Sequence, residues 1–221
     1  LGSLTSFLEL APGRVLMGWA RGLFLWEEGR GIVNRWQKAP GSPAFDIWAL
    51  QPHPGGGVWI GTDKGLFRWR DGRIEAGCPQ MRNVSIASLL LHGGRLWAGT
   101  LGEGVAELSP EGRFITFHAL PQETGKGFVP KILPWDGPAG PGLLVATNVG
   151  LYRCRVEGGR GCFERAFGGT PVHKASIATI YREPSGRLWV ASADGLYGFD
   201  HYRTSHPIPW GSAEAGIEGH P

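Results

Sequence analysis

Apolar residues in this chain come in short runs, punctuated by glycine-rich turn segments. VWIGT at 58–62 is followed by Asp63-Lys64 and then GLFRW at 65–69, which reads as strand, tight turn, strand. No segment keeps a helical period of 3.6, so the pattern predicts an all-β chain with no helix longer than a turn or two. The runs are more continuously apolar than a half-exposed strand requires, as expected of strands covered on both faces.

The same strand–turn–strand unit recurs. VLMGWARGLFLW begins at Val15, LWAGTLGEGVAEL at Leu96, LLVATNVGLYRC at Leu143 and LWVASADGLYGF at Leu188. With Gly18, Gly61, Gly99, Ala146 and Ala191 taken as equivalent, the spacings are 43, 38, 47 and 45 residues. A period of about 40–50 residues with four short strands per unit is the signature of propeller blades. The expected blades are 3–36, 45–76, 84–118, 128–167 and 175–208, with 209–221 a linker toward a further blade. Trp59, Trp97 and Trp189 are expected to fill the space between blades. The small residue two positions on narrows the sheets, and the glycine of each GL pair supplies a turn conformation.

Composition agrees with this picture and adds little chemistry. There are 37 glycines in 221 residues, spread as turn punctuation, and ten Trp and ten Phe to build a core. The formal charge of +3 is mixed along the chain without a basic stripe, which argues against a nucleic-acid partner. No run approaches the roughly 18 apolar residues of a membrane-spanning helix, so this segment is not expected to contact a membrane. Cys154 and Cys162 flank RVEGGRG symmetrically about Gly158 and are a candidate disulfide across a hairpin. Two unrelated buried thiols are the alternative. A disulfide would fit an oxidising compartment. The seven histidines show no metal-ligand spacing, and no nucleophile elbow or phosphate loop is present. The sequence therefore nominates no catalytic residue, metal or cofactor.

The units VWIGTDKGLFRW and LWAGT, preceded by turns such as PSGRLW and GGRLW, resemble the two-component regulator propeller repeat. Blade four departs from it by placing Leu144 where Trp is usual, blade one by placing Trp19 where Thr is usual, and blade three by an extra residue at 101–103. The resemblance implies a periplasmic or otherwise extracytoplasmic sensor, joined in the full-length protein to a histidine kinase or diguanylate cyclase. Propellers of that family usually have seven blades. The start at Leu1 and the ending IPWGSAEAGIEGHP are therefore read as those of an incomplete propeller, with a closed five-bladed ring as the alternative.

A propeller's recognition surface is the channel mouth, where first strands begin and motif turns converge. The expected ligand-binding residues there are Arg21, Asp46, Asp63, Lys64, Lys131, Asn148 and Asp194. Phe45, Phe128 and His173 lie on the inter-blade loops, where the two phenylalanines either stack on sugar rings or anchor the loops. The leading expectation is a non-catalytic sensor of an oligosaccharide or another small molecule. The alternatives are a protein-interaction scaffold, including a homodimer, and a propeller lyase or glycoside hydrolase, which would need an acid pair or a metal.

Overall fold

The computed structural model describes residues 4–19, 22–37, 45–137, 140–200 and 208–209. It is an all-β propeller fold of five antiparallel four-stranded blades, each a simple meander. Blade one is β1 (Leu4–Ala11), β2 (Arg14–Trp19), β3 (Gly22–Glu27) and β4 (Gly31–Gln37). Blade two is β5 (Ile47–Pro52), β6 (Val58–Thr62), β7 (Gly65–Arg70) and β8 (Arg73–Ala76). Blade three is β9 (Ile86–His92), β10 (Arg95–Thr100), β11 (Val105–Leu108) and β12 (Phe114–His118). Blade four is β13 (Lys131–Trp135), β14 (Gly142–Thr147), β15 (Gly150–Glu157) and β16 (Arg160–Arg165). Blade five is β17 (Ile177–Arg182), β18 (Leu188–Ser192), β19 (Gly195–Phe199) and β20 (Ile208–Pro209). The only helical pieces among the described residues are three short 3-10 turns, at Pro79–Met81, Gln122–Thr124 and Pro171–His173.

The chain divides into two compact units, residues 1–117 and 118–221. In the first, β1 lies beside β5 and β5 beside β9; in the second, β13 lies beside β17. Stacked blades therefore approach one another along their first strands. Leu16, Leu23 and Leu25 of blade one pack on Ile47, Val58 and Ile60 of blade two. Trp59 and Leu66 of blade two pack on Leu89, Leu96, Ala98 and Leu108 of blade three. In the second unit, Leu144 and Leu151 of blade four pack on Ile180, Leu188, Val190 and Phe199 of blade five. The period-2 alternation of each strand thus gives two apolar faces, one for each neighbouring blade. Leu144 fills the place Trp59 holds in blade two, so the departure from the repeat at that position keeps the packing role.

The motif's terminal hydroxyl holds its own turn. Thr62 Oγ1 donates to the Gly65 carbonyl at 2.9 Å and accepts the Lys64 amide at 3.0 Å. Thr100, Thr147 and Ser192 repeat both bonds in blades three, four and five. A short side chain that bonds its own backbone is the usual way to close such turns.

The cysteines are not bridged. Gly158 and Gly159 both take positive φ, 57° and 78°, giving a two-residue turn that pairs Glu157 with Arg160. Cys154 therefore faces Phe163, and Cys162 faces Arg155. A one-residue offset places the two thiols on opposite faces of the sheet. Cys154 is buried, Cys162 is exposed, and no disulfide joins them. The expected disulfide is corrected on this ground.

His53 lies under the interface of blades two and three, 8% exposed, with its ring centroid 4.8 Å from that of Trp59. Its Nδ1 accepts the Gly55 amide at 2.8 Å, so the neutral ring carries its proton on Nε2. Burial first, then the Arg68 guanidinium, lowers its pKa below the ordinary 6.5. The folded state therefore favours the neutral ring more than the unfolded state does. That stability is fully present above pH 6.5 and is lost as pH falls through the folded value. Urea midpoints should drop between neutral pH and pH 5, and His53→Gln should flatten that drop. Parallel pH profiles for the two proteins would refute the assignment.

Candidate functional site

The first strands and motif turns bring most of the expected residues to one rim in each unit. In the first unit Asp63 Oδ1 accepts the Asp46 amide at 2.8 Å, and the Asp63 amide returns a bond to the Asp46 carbonyl at 3.2 Å. Lys64 Nζ lies 2.9 Å from Asp63 Oδ2. Ser85 Oγ donates to the Asp63 carbonyl at 3.3 Å. Asp46, Asp63 and Lys64 are thus together, as a joint that ties the motif turn to the entry of β5. The Leu101 amide reaches the Ser85 carbonyl, and the Ala193 amide the Ser176 carbonyl, by the same latch.

In the second unit Asn148 Oδ1 accepts the Phe128 amide at 3.1 Å, so it too holds an inter-blade loop. Asp194 is exposed, and its carbonyl accepts the Tyr197 hydroxyl at 3.3 Å. By register Ala193, not Asp194, occupies the place of Asp63. Phe45 stacks on Phe67 at 4.9 Å and belongs to the core of the first unit, which is the anchoring reading. Arg21 lies outside the described residues. Of the expected linker 209–221, Pro209 ends strand β20 and residues 210–221 lie outside the described residues.

Lys131 differs from the other candidates. It is the first residue of β13 and pairs with Ala146. The residues opposite the corresponding small residue in the other blades are Ser6, Ala49, Ser88 and Thr179. Blade four alone places a long cation at this register position. Lys131 is half-buried, and burial lowers its pKa from the ordinary lysine value. No carboxylate pairs with it among the described residues. A desolvated ammonium without a counter-charge on a first strand is suited to meeting an anion.

Sequence reasoning missed one polar cluster in the second unit. Tyr152 Oη donates to Glu123 Oε1 at 3.1 Å, and Arg165 Nη2 lies 3.6 Å from the same oxygen. Arg165 Nη1 donates to the Val149 and His173 carbonyls at 2.8 and 2.7 Å, with its guanidinium 5.0 Å from the Tyr152 ring centre. Burial, then the bond to Glu123, pushes the Tyr152 pKa up to about 12. Residues 123, 152 and 165 lie in three separate elements and share no repeat position, so nothing in the sequence groups them. The cluster clamps two connecting loops to β15 and β16. Among the described residues no group of three His, Cys, Asp or Glu side chains is placed to share a metal ion.

These features define a β-propeller whose recurrent motif serves the blades, with Lys131 on a first strand and no carboxylate paired with it among the described residues. No family model and no curated protein matches the chain. Solved structures do. One is the extracellular domain of what is described as a hybrid two component system, BT4673 of B. thetaiotaomicron. It matches with TM-score 0.69 and 15% identity over 93% of this chain and 27% of that one. The corresponding domain of BT3049 from the same organism matches with TM-score 0.65 and 15% identity, over 94% of this chain and 28% of that one. PorZ, a surface component of the type-IX secretion system of Porphyromonas gingivalis, matches with TM-score 0.64 and 17% identity, over 93% and 33%. The chain therefore spans about a third or less of the length of these three structures. The likeness is one of fold.

Proposed function

We propose that this chain is a non-catalytic sensing propeller that works outside the cytoplasm as the input module of a signalling receptor. The observation that carries the reading is the match of nearly the whole chain to two extracellular domains described as parts of hybrid two component systems. Its repeat, which resembles the regulator propeller repeat, supports the same reading. In such a receptor the output domain, a kinase or a cyclase, belongs to another part of the protein. Lys131 supports an anionic ligand, such as a sugar acid, bound at the channel-side end of blades four and five.

Thermal shift and calorimetry with D-glucuronate against D-glucose test this, because a ligand bound only by the native state raises its melting temperature. The acidic sugar should shift the transition and the neutral one should not, and Lys131→Met should remove the shift. Equal responses to both sugars, or a response unchanged in Lys131→Met, would remove Lys131 from the site. No response to either, extended to oligosaccharides of both kinds, would count against sugar sensing altogether.

A further inference from the structure

The connection from β5 to β6 is exposed at Pro52, Pro54, Gly55 and Gly56, yet the histidine among them is buried. Prolines and glycines make such a turn unaided, so the buried ring of His53 has a separate task.

Its Nδ1 fastens the turn. It accepts the amide of Gly55, two residues on, at 2.8 Å, as an asparagine oxygen does in an Asx turn. The His53 amide on the Gly57 carbonyl and the Gly56 amide on the His53 carbonyl, both at 3.0 Å, complete the loop. Arg68 Nη2, from β7, donates to the Gly55 and Gly56 carbonyls at 3.3 and 2.8 Å. The ring leans on Trp59, whose indole N–H reaches the Pro110 carbonyl of blade three. His53 therefore joins an exposed turn of blade two to the interface with blade three, inside the first unit.

A second proton on the ring is incompatible with this arrangement. Imidazolium carries hydrogen on both nitrogens and offers no lone pair to an amide. Its Nδ1–H would face the Gly55 N–H, and turning the ring over presents another donor in the same place. The charged groups around the ring set the direction of escape. From β7, Arg68 and Arg70 repel a positive ring; from the turn between β11 and β12, Glu111 attracts it. Glu111 is exposed and accepts the Ser109 hydroxyl at 2.8 Å. The turn is free to follow, because Gly55 and Gly56 are exposed and a Cβ at Gly56 would meet nothing within 4 Å. Gly57 marks the end of the movable part, since a Cβ there would run into the Trp69 carbonyl.

We propose that His53 is a proton-operated latch: on protonation its ring leaves the Gly55 amide for the Glu111 carboxylate of blade three, and the turn 53–57 opens while the blades stay folded. Burial and Arg68 favour the neutral ring, which places the opening below pH 6.5. Above its midpoint, the open population rises about tenfold for each unit by which the pH falls.

NMR of the chain, from neutral pH down to its acid unfolding transition, tests the latch. The His53 ring and the Gly55 amide should titrate with one midpoint below pH 6.5, and Gly55 should lose its exchange protection there. Amides of β6 and β10 should keep theirs. On the acid side, nuclear Overhauser contacts should appear between the His53 ring and Glu111. His53→Asn supplies an acceptor at the same reach that no proton removes, so its Gly55 amide should not titrate. Glu111→Gln, at an exposed position, should move the midpoint to lower pH. Should His53→Asn misfold, the two midpoints of the unsubstituted chain and the Glu111→Gln shift still decide. A Gly55 amide that titrates apart from the ring, or that stays protected until the whole chain unfolds, overturns the proposal. A midpoint unmoved in Glu111→Gln, or a protonated ring without contacts to Glu111, overturns the move toward blade three.

Discussion

Trp59→Ala should cost about 3–5 kcal/mol of unfolding free energy, the range for deleting a large aromatic from a packed core. Trp59 is 1% exposed and is among the largest fully buried side chains of the protein. It touches three different parts of the first unit. Its ring packs among Leu66, Leu96 and Leu108, its edge fills the space over Gly77 and Gly112, and its N–H satisfies the Pro110 carbonyl. Alanine would leave a void lined by two blades, and the rigid sheets on either side cannot close it. The Pro110 carbonyl would lose its partner as well, adding a desolvation cost on the order of 1 kcal/mol. Trp189→Ala removes the same side chain from a half-buried place and should cost much less. Urea titrations of the two variants make the comparison. Equal losses would show that the motif tryptophan acts within its own strand rather than across the blade interface.

Gly65→Ala should be nearly as damaging for a different reason. Gly65 has φ +126°, and a Cβ there would lie 2.6 Å from the Met81 carbonyl oxygen. An alanine forced into such a region costs about 1–3 kcal/mol before any clash is counted. The clash falls on backbone, so relief requires moving the loop after the 3-10 turn Pro79–Met81, which is itself tied to the turn by the Asn83 amide on the Lys64 carbonyl. Gly102 supplies the control. Its φ is +104°, but a Cβ there meets nothing within 4 Å. Gly102→Ala should therefore show the conformational cost alone, near the lower end of that range, about 1 kcal/mol. If the two alanine variants melt together, the close approach at Gly65 carries no energy.

The repeat was legible in the sequence because its signals are local. Alternation of side chains, glycine turns and a period of about 40–50 residues all act within one blade. The site was far less legible. Asp46, Asp63 and Asn148 looked like ligand groups because they are polar and sit on converging turns, but their side chains or backbones bond neighbouring amides and carbonyls. The same short polar residues suit both tasks, and only the partner tells them apart. Lys131 could be picked out by position, while the lack of a paired carboxylate among the described residues could not. The Glu123, Tyr152 and Arg165 clamp joins residues with no shared spacing. The cysteine pairing turned on whether the hairpin loop has two residues or three, and that choice swaps the face of every side chain beyond it.

By itself, the sequence determined that this chain forms five meandering blades, where their strands turn, and which positions must be small. The tertiary structure decided which apolar faces are covered. Trp59 and Leu144 occupy one register position and differ in the sequence, yet both are buried against the next blade of their own unit. Burial of a sheet face depends on whether another sheet lies over it, and that is set by packing between blades rather than by the residues of one strand.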